Sequence, residues 1–120
     1  MIELEILQEE IRDLISNENY FLDELPSDFN FKNYIGIVAK IADSIQDNYY
    51  RNDITLELRL VGDKVKKIEM QRLAKELEVK LNKKYLEISN TRIVKQNIFY
   101  ISYLDEDKLN IVLQFYIINY

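Results

Sequence analysis

The last twelve residues of the chain, LNIVLQFYIINY (residues 109–120), constrain its fold more than any other segment. A strand with one wet face alternates apolar and polar side chains, but this segment is apolar, β-branched or aromatic at nearly every position. One face of such a strand would present Leu109, Ile111, Leu113, Phe115 and Ile117. The other face would present Val112, Tyr116, Ile118 and Tyr120. A domain this small can hardly cover both faces itself, so we predict that the second face contacts another subunit.

Length and composition indicate one folded domain that spans residues 1–120. The chain has 48% hydrophobic and 31% charged residues, as globular proteins have. No apolar run approaches the roughly 20 residues that a membrane span needs. The N-terminus, MIELEILQEE, is acidic and unlike a signal peptide. We therefore expect an intracellular, soluble protein with no membrane partner.

Apolar residues at spacings of three and four predict two amphipathic helices. The first covers residues 1–16, and its apolar face comprises Leu4, Leu7, Ile11, Leu14 and Ile15. The second covers residues 64–81, and its stripe comprises Met70, Leu73, Ala74, Leu77 and Leu81, with Ile68 alongside. Asp63 precedes this helix, and aspartate is a preferred residue type at the N-cap position.

Alternating patterns predict two pairs of strands. Residues 35–46 and 53–61 are joined by the polar DNYYRN junction, and residues 92–104 and 109–120 by the DEDK turn, so each pair should form a hairpin. A short extended piece near Phe21 precedes a loop. The order α-β-β-α-β-β predicts an α+β fold, with a mostly antiparallel sheet of four to five strands and both helices on one face.

The chain offers little material for catalysis. It contains no cysteine and no histidine, and its two glycines lie outside any phosphate-binding motif. Among the acids, Asp105, Glu106 and Asp107 fit a charged hairpin turn. Asp43 is unusual because it lies on the apolar side of its strand. Either a solvent-exposed sheet edge or a buried ion pair would explain an acidic residue at this position. We predict no catalytic, cofactor-binding or metal-binding residues, and no enzymatic activity.

The net charge of −5 argues against a nucleic-acid-binding protein, which needs clustered lysine and arginine. A mildly acidic protein could still lie beside DNA if its role were to let DNA pass without binding it.

The nine tyrosines have two explanations. Tyrosine and arginine are enriched in interface cores, but a chain rich in isoleucine, lysine, asparagine and tyrosine could also come from an AT-rich genome. On the first explanation, the candidate subunit-interface residues are Tyr49, Tyr50, Arg51, Val112, Tyr116, Ile118 and Tyr120.

The layout also resembles a known family. The stretch NYYRNDITLELRL (residues 48–60), the following amphipathic helix and the two closing strands ending in LQFYIINY are similar to the small tail terminator proteins. These head–tail joining, or minor capsid, proteins belong to tailed phages and prophages of low-GC Gram-positive bacteria. The similarity is one of layout over most of the chain, and it includes no catalytic motif.

The resemblance implies a non-enzymatic assembly protein without cofactors. Such proteins form a ring, usually of six subunits, on the last ring of the tail tube, where they stop polymerisation and face the head connector. The protein would be made in the bacterial cytoplasm and end in a virion or phage-tail-like particle, with DNA at most passing through. A ring needs different patches on the two sides of each subunit, and the second face of the C-terminal strand and the hairpin of residues 35–61 are candidates.

Two other functions stay open. The chain could be an intracellular adaptor module that binds one partner through an exposed sheet face. It could also be a metal-dependent hydrolase that uses carboxylates, which would need acids converging in a pocket.

Overall fold

Helices and strands follow one another much as the sequence pattern predicts. The computed structural model describes residues 4–43 and 53–119. Its helices are α1 (Leu4–Ile15) and α2 (Lys67–Leu81), and a short 3₁₀ turn (Lys64–Lys66) precedes α2. The strands in these ranges are β1 (Tyr20–Leu22), β2 (Gly36–Asp43), β3 (Asp53–Asp63), β4 (Tyr85–Leu86), β5 (Thr91–Asp105) and β6 (Lys108–Asn119). The Asp63 side chain accepts a long hydrogen bond of 3.5 Å from the backbone N–H of Val65 and so caps the 3₁₀ turn. Helix α2 itself follows Lys66, which makes no side-chain cap bond.

The described strands form one sheet in the order β1-β2-β3-β6-β5-β4. The α+β class is confirmed, but the predicted four to five strands are in fact six. The prediction omitted β4 and left β1 uncertain because strands of two and three residues are too short for alternation to be recognised. The sheet is also mixed, since β1 pairs with β2 in parallel and the other neighbours are antiparallel.

The hydrophobic core lies between both helices and one face of this sheet. On β6, the five residues predicted to lie under the helices are all buried. Across from them, β3 contributes Ile54, Leu56, Leu58 and Leu60. The helices contribute Leu7, Ile11, Ile15, Met70, Ala74, Leu77 and Leu81. Each large apolar side chain buried in this way stabilises the fold by roughly 1.5–3 kcal/mol.

Ile68 does not belong to the core stripe of α2, contrary to the prediction. Its side chain is 71% exposed. Successive helical residues are about 100° apart, so Ile68, two positions before the buried Met70, lies on the opposite side of the helix.

The middle of β5 departs from regular pairing, which the sequence pattern did not indicate. Lys95 pairs with Phe115 and Tyr100 pairs with Leu113, so four residues of β5 lie opposite one residue of β6. Phe99 lies in this bulge and packs edge-to-face against Phe115, with ring centroids 5.1 Å apart. The bulge therefore adds a second aromatic ring to the core.

Tyr20 on β1 has a buried hydroxyl without a hydrogen-bond partner in the described part of the chain. Burial raises the pKa of Tyr20 from 10.0 to about 12, with the nearby Arg12 charge acting in the opposite direction. A buried polar group without a partner costs free energy that a phenyl ring would not.

We expect Tyr20→Phe to raise the free energy of unfolding at pH 7 by about 1 kcal/mol. Between pH 10 and pH 12 the unfolded tyrosine releases its proton while the folded one keeps it, so the wild-type protein loses stability as the pH rises. The Tyr20→Phe variant has no hydroxyl to ionise at this position. The difference in free energy of unfolding between the variant and the wild type should therefore grow between pH 10 and pH 12. Urea unfolding at pH 7, 10 and 11 measures both effects. Tyr34→Phe, at an exposed tyrosine, serves as the control, and equal behaviour of the two variants would contradict the prediction.

Candidate subunit interface

The outer face of the sheet, opposite the two helices, contains three of the predicted contact residues, Val112, Tyr116 and Ile118. The pairing register places Val38, Arg59, Val112 and Ile101 side by side across this face. Farther along the strands, Thr55, Tyr116 and Val94 form another such row. Neither helix packs on this side, because all their buried residues belong to the core on the other face.

The loop between β1 and β2, residues 23–35, covers one end of the outer face. A Cβ atom on Gly36 would lie only 2.6 Å from Leu25 Cδ2 and 3.3 Å from Phe29 Cζ, so glycine makes room for the loop here. Phe29 also packs edge-to-face on Phe21 at 5.8 Å and on Phe31 at 4.9 Å. The outer face at this end is therefore buried by the chain itself.

Basic side chains hold the same loop in place. The Lys66 ammonium donates a hydrogen bond of 3.3 Å to the Phe31 carbonyl oxygen. The Lys108 ammonium lies 5.1 Å from the centre of the Phe31 ring, within cation–π range. Val38, Val61 and Asn110, which belong to this part of the outer face, are buried without a second subunit.

The predicted interface residues on β6 differ in how much surface they offer. Val112 is only 6% exposed, so it offers little surface to a partner. Tyr116 is 37% exposed and Ile118 is half-buried, at the end of the outer face away from the loop. Tyr49, Tyr50, Arg51 and Tyr120 lie outside the described residues, as does the side chain of Asp43. Their role as contacts stays a prediction.

Arg59 is a further interface candidate that the sequence pattern did not indicate. It lies half-buried between Val38 and Val112 on the outer face. Its Nε is buried and finds no hydrogen-bond acceptor among the described residues. In the alternating strand Arg59 shares a polar face with Thr55 and Glu57, and nothing in that pattern distinguishes a solvent-exposed arginine from a half-buried one.

The hairpin formed by β5 and β6 carries a second group of exposed apolar residues. They are Tyr100, Ile101, Tyr103 and Leu104. The short β4 pairs with Thr91 and Arg92, and residues 82–84 hydrogen-bond the backbone of Ile93 and Lys95. The described strands leave the outer edge of β5 open beyond Lys95. Open edges and exposed apolar groups are typical of surfaces that bind other chains.

The described residues contain no group of three or more acidic side chains placed to hold a metal ion. None of the helices in the described ranges is both long enough and apolar enough to cross a membrane.

The fold defines a class of small α+β domains with a six-stranded sheet and both helices on one face. No protein-family model matches the sequence, and no curated protein matches it. Among solved structures, a chain from the virion of a native gene transfer agent particle is similar, with a TM-score of 0.59. The two share 16% sequence identity, and the match covers 90% of this chain and 82% of the other. At this identity the match shows that the two chains have the same fold.

Proposed function

We propose that the protein is a structural component of a phage-like particle and acts as a tail terminator. In this role it caps the tail tube as a ring of six subunits and joins the tube to the head connector. The observation that carries the proposal is the shared fold with a gene transfer agent virion chain over 90% of this sequence. The resemblance of its layout to tail terminators supports the finer assignment.

The outer face supports assembly with other copies. Tyr116 presents an exposed aromatic ring there, and the half-buried Arg59 lies on the same face. Tyrosine and arginine are enriched among the residues that contribute most to binding at interfaces.

The proposed role is non-enzymatic and needs no cofactor. DNA at most passes through the ring, and the net charge of −5 disfavours its retention on the walls. The protein would assemble in the bacterial cytoplasm and then remain in the particle.

Deletion of the gene in the bacterium or phage that carries it tests this function. We expect electron micrographs to show heads separated from tails, with tails of irregular length, because nothing stops the tube or binds the connector. Wild-type protein supplied in trans should restore joined particles and should be found in them by mass spectrometry. Normal joined particles from the deletion strain would overturn the proposal. A stable dimer or 1:1 complex with one cellular protein would favour the adaptor function instead.

A further inference from the structure

Charge is divided unequally between the two helices. Helix α1 contains four acids and one arginine. The segment of the 3₁₀ turn and α2 contains six lysine or arginine residues and three glutamates. The overall charge of −5 is therefore distributed unevenly, with one acidic helix and one basic helix.

The acidic helix lies beside one edge of the sheet. A shallow depression there is lined by Glu5, Gln8, Glu9 and Arg12 of α1 and by Leu22 of the edge strand β1. Leu22 is 43% exposed. A second depression continues along the helix end to Asp13 and Glu18. We call this surface, defined by Glu5, Glu9, Asp13 and Leu22, the acidic edge.

The basic helix borders a groove on the side of β5. One part of the groove lies between Lys64 and Lys67 of the helical segment and Leu104 and Leu109 of the hairpin. The other part lies between Lys75 and the hairpin residues Phe99 and Tyr100. We call this surface, defined by Lys64, Lys67, Lys75, Tyr100 and Leu104, the basic groove.

The groove combines lysine side chains, of which Lys64 and Lys75 are paired with acids, with exposed apolar surface. Leu104 is 62% exposed and Tyr100 is 44% exposed. Lys64 lies 3.7 Å from Asp107, whereas Lys67 has no ion-pair partner among the described residues. The one acid inside the groove, Glu78, is neutralised by two lysines. A hydrogen bond of 3.1 Å from Lys75 and the charge of Lys95 hold its pKa below the ordinary value.

The two surfaces are separate on the described chain, since they share no lining residue: the acidic edge lies beside Leu22 of β1, and the basic groove lies beside the β5–β6 hairpin. Two copies in the same orientation can bring them together, and such a contact repeats from one subunit to the next until it closes into a ring.

We propose that the acidic edge of one subunit docks into the basic groove of a second copy of this chain. The inference rests on the proposed ring and assigns its head-to-tail contact. Opposite charges steer the two surfaces together and fix their order. The contact buries Leu22 of one copy against Tyr100 and Leu104 of the other, which supplies the hydrophobic contribution.

Charge reversal tests this contact. One variant combines Lys64→Glu with Lys67→Glu, and another combines Glu5→Lys with Glu9→Lys. All four side chains are exposed, so circular dichroism should show an unchanged fold. We expect each variant to weaken self-association at low salt by about tenfold or more, measured by sedimentation over a concentration series. Raising the salt concentration should weaken the wild-type association as well.

Mixing the two variants provides the decisive measurement. The reversed α1 of one variant is basic and faces the reversed, acidic groove of the other, while their remaining surfaces match as in the wild type. An equimolar mixture should therefore associate again, with the two variants alternating. A single chain with all four reversals should also recover self-association. Lys83→Glu with Lys84→Glu makes the same charge change at exposed lysines outside the groove and should leave association unchanged.

Three results would overturn this contact. They are a wild-type protein that does not self-associate at low salt, reversal variants that associate as the wild type does, and a mixture that fails to associate. The proposed function is measured separately by the particles of the deletion strain. A ring that forms normally in both reversal variants would reject this contact and leave the tail terminator role in place.

Discussion

Phe115→Ala is expected to lower the free energy of unfolding by about 3–5 kcal/mol. Phe115 is fully buried in the central strand β6, between Leu56 on β3 and Lys95 on β5. Its ring also packs edge-to-face on Phe99. Removal of the ring loses apolar burial and leaves a cavity that rigid strands on both sides cannot close. Urea unfolding monitored by circular dichroism measures the change.

Tyr116→Ala, one residue later on the outer face, is the matched control. Tyr116 is partly exposed, so its loss should cost no more than about 1 kcal/mol. Similar losses for the two variants would show that β6 is buried equally on both faces. Phe99→Ala, combined with Phe115→Ala in a double-mutant cycle, should show a coupling of about 0.5–1.5 kcal/mol beyond the separate effects.

Tyr116→Asp is expected to abolish assembly while leaving the monomer folded. The side chain is 37% exposed in the single chain, so a carboxylate there remains hydrated before association. In a subunit contact the same carboxylate would be buried without a partner, which costs several kcal/mol. Light scattering and incorporation into particles measure assembly, and circular dichroism measures the fold. Ile118→Asp should act in the same way, with a larger loss of stability because Ile118 is half-buried.

Tyr116→Phe provides the control for this effect, because it keeps the ring and should assemble as the wild type does. If Tyr116→Asp unfolds the monomer, this face belongs to the core and the interface hypothesis is wrong there. If the variant stays folded and still assembles into particles, the outer face around Tyr116 is not a subunit contact.

Much of the fold could be predicted from local patterns. Helical spacing correctly identified most of the core residues of α1 and α2, with Ile68 as the exception, and alternation identified β3 and the buried face of β6. These patterns are visible in sequence because each depends on residues within a few positions of one another. The bulge before Tyr100 and the short strand β4 were not predicted, and β1 was predicted only as a short extended piece near Phe21. These features depend on a neighbouring strand more than on their own composition.

The environment of the outer face could not be predicted from local sequence patterns alone. The sequence by itself determined that β6 has two apolar faces and that the face of Phe115 packs under the helices. Only the tertiary structure decided that residues 23–35 cover one end of the opposite face through Leu25 and Phe29. It also decided that α1 lies beside Leu22 of β1 whereas α2 borders the β5–β6 hairpin. Both outcomes depend on strand order and on contacts between distant residues, which bury Val112 and leave Tyr116 exposed on the outer face.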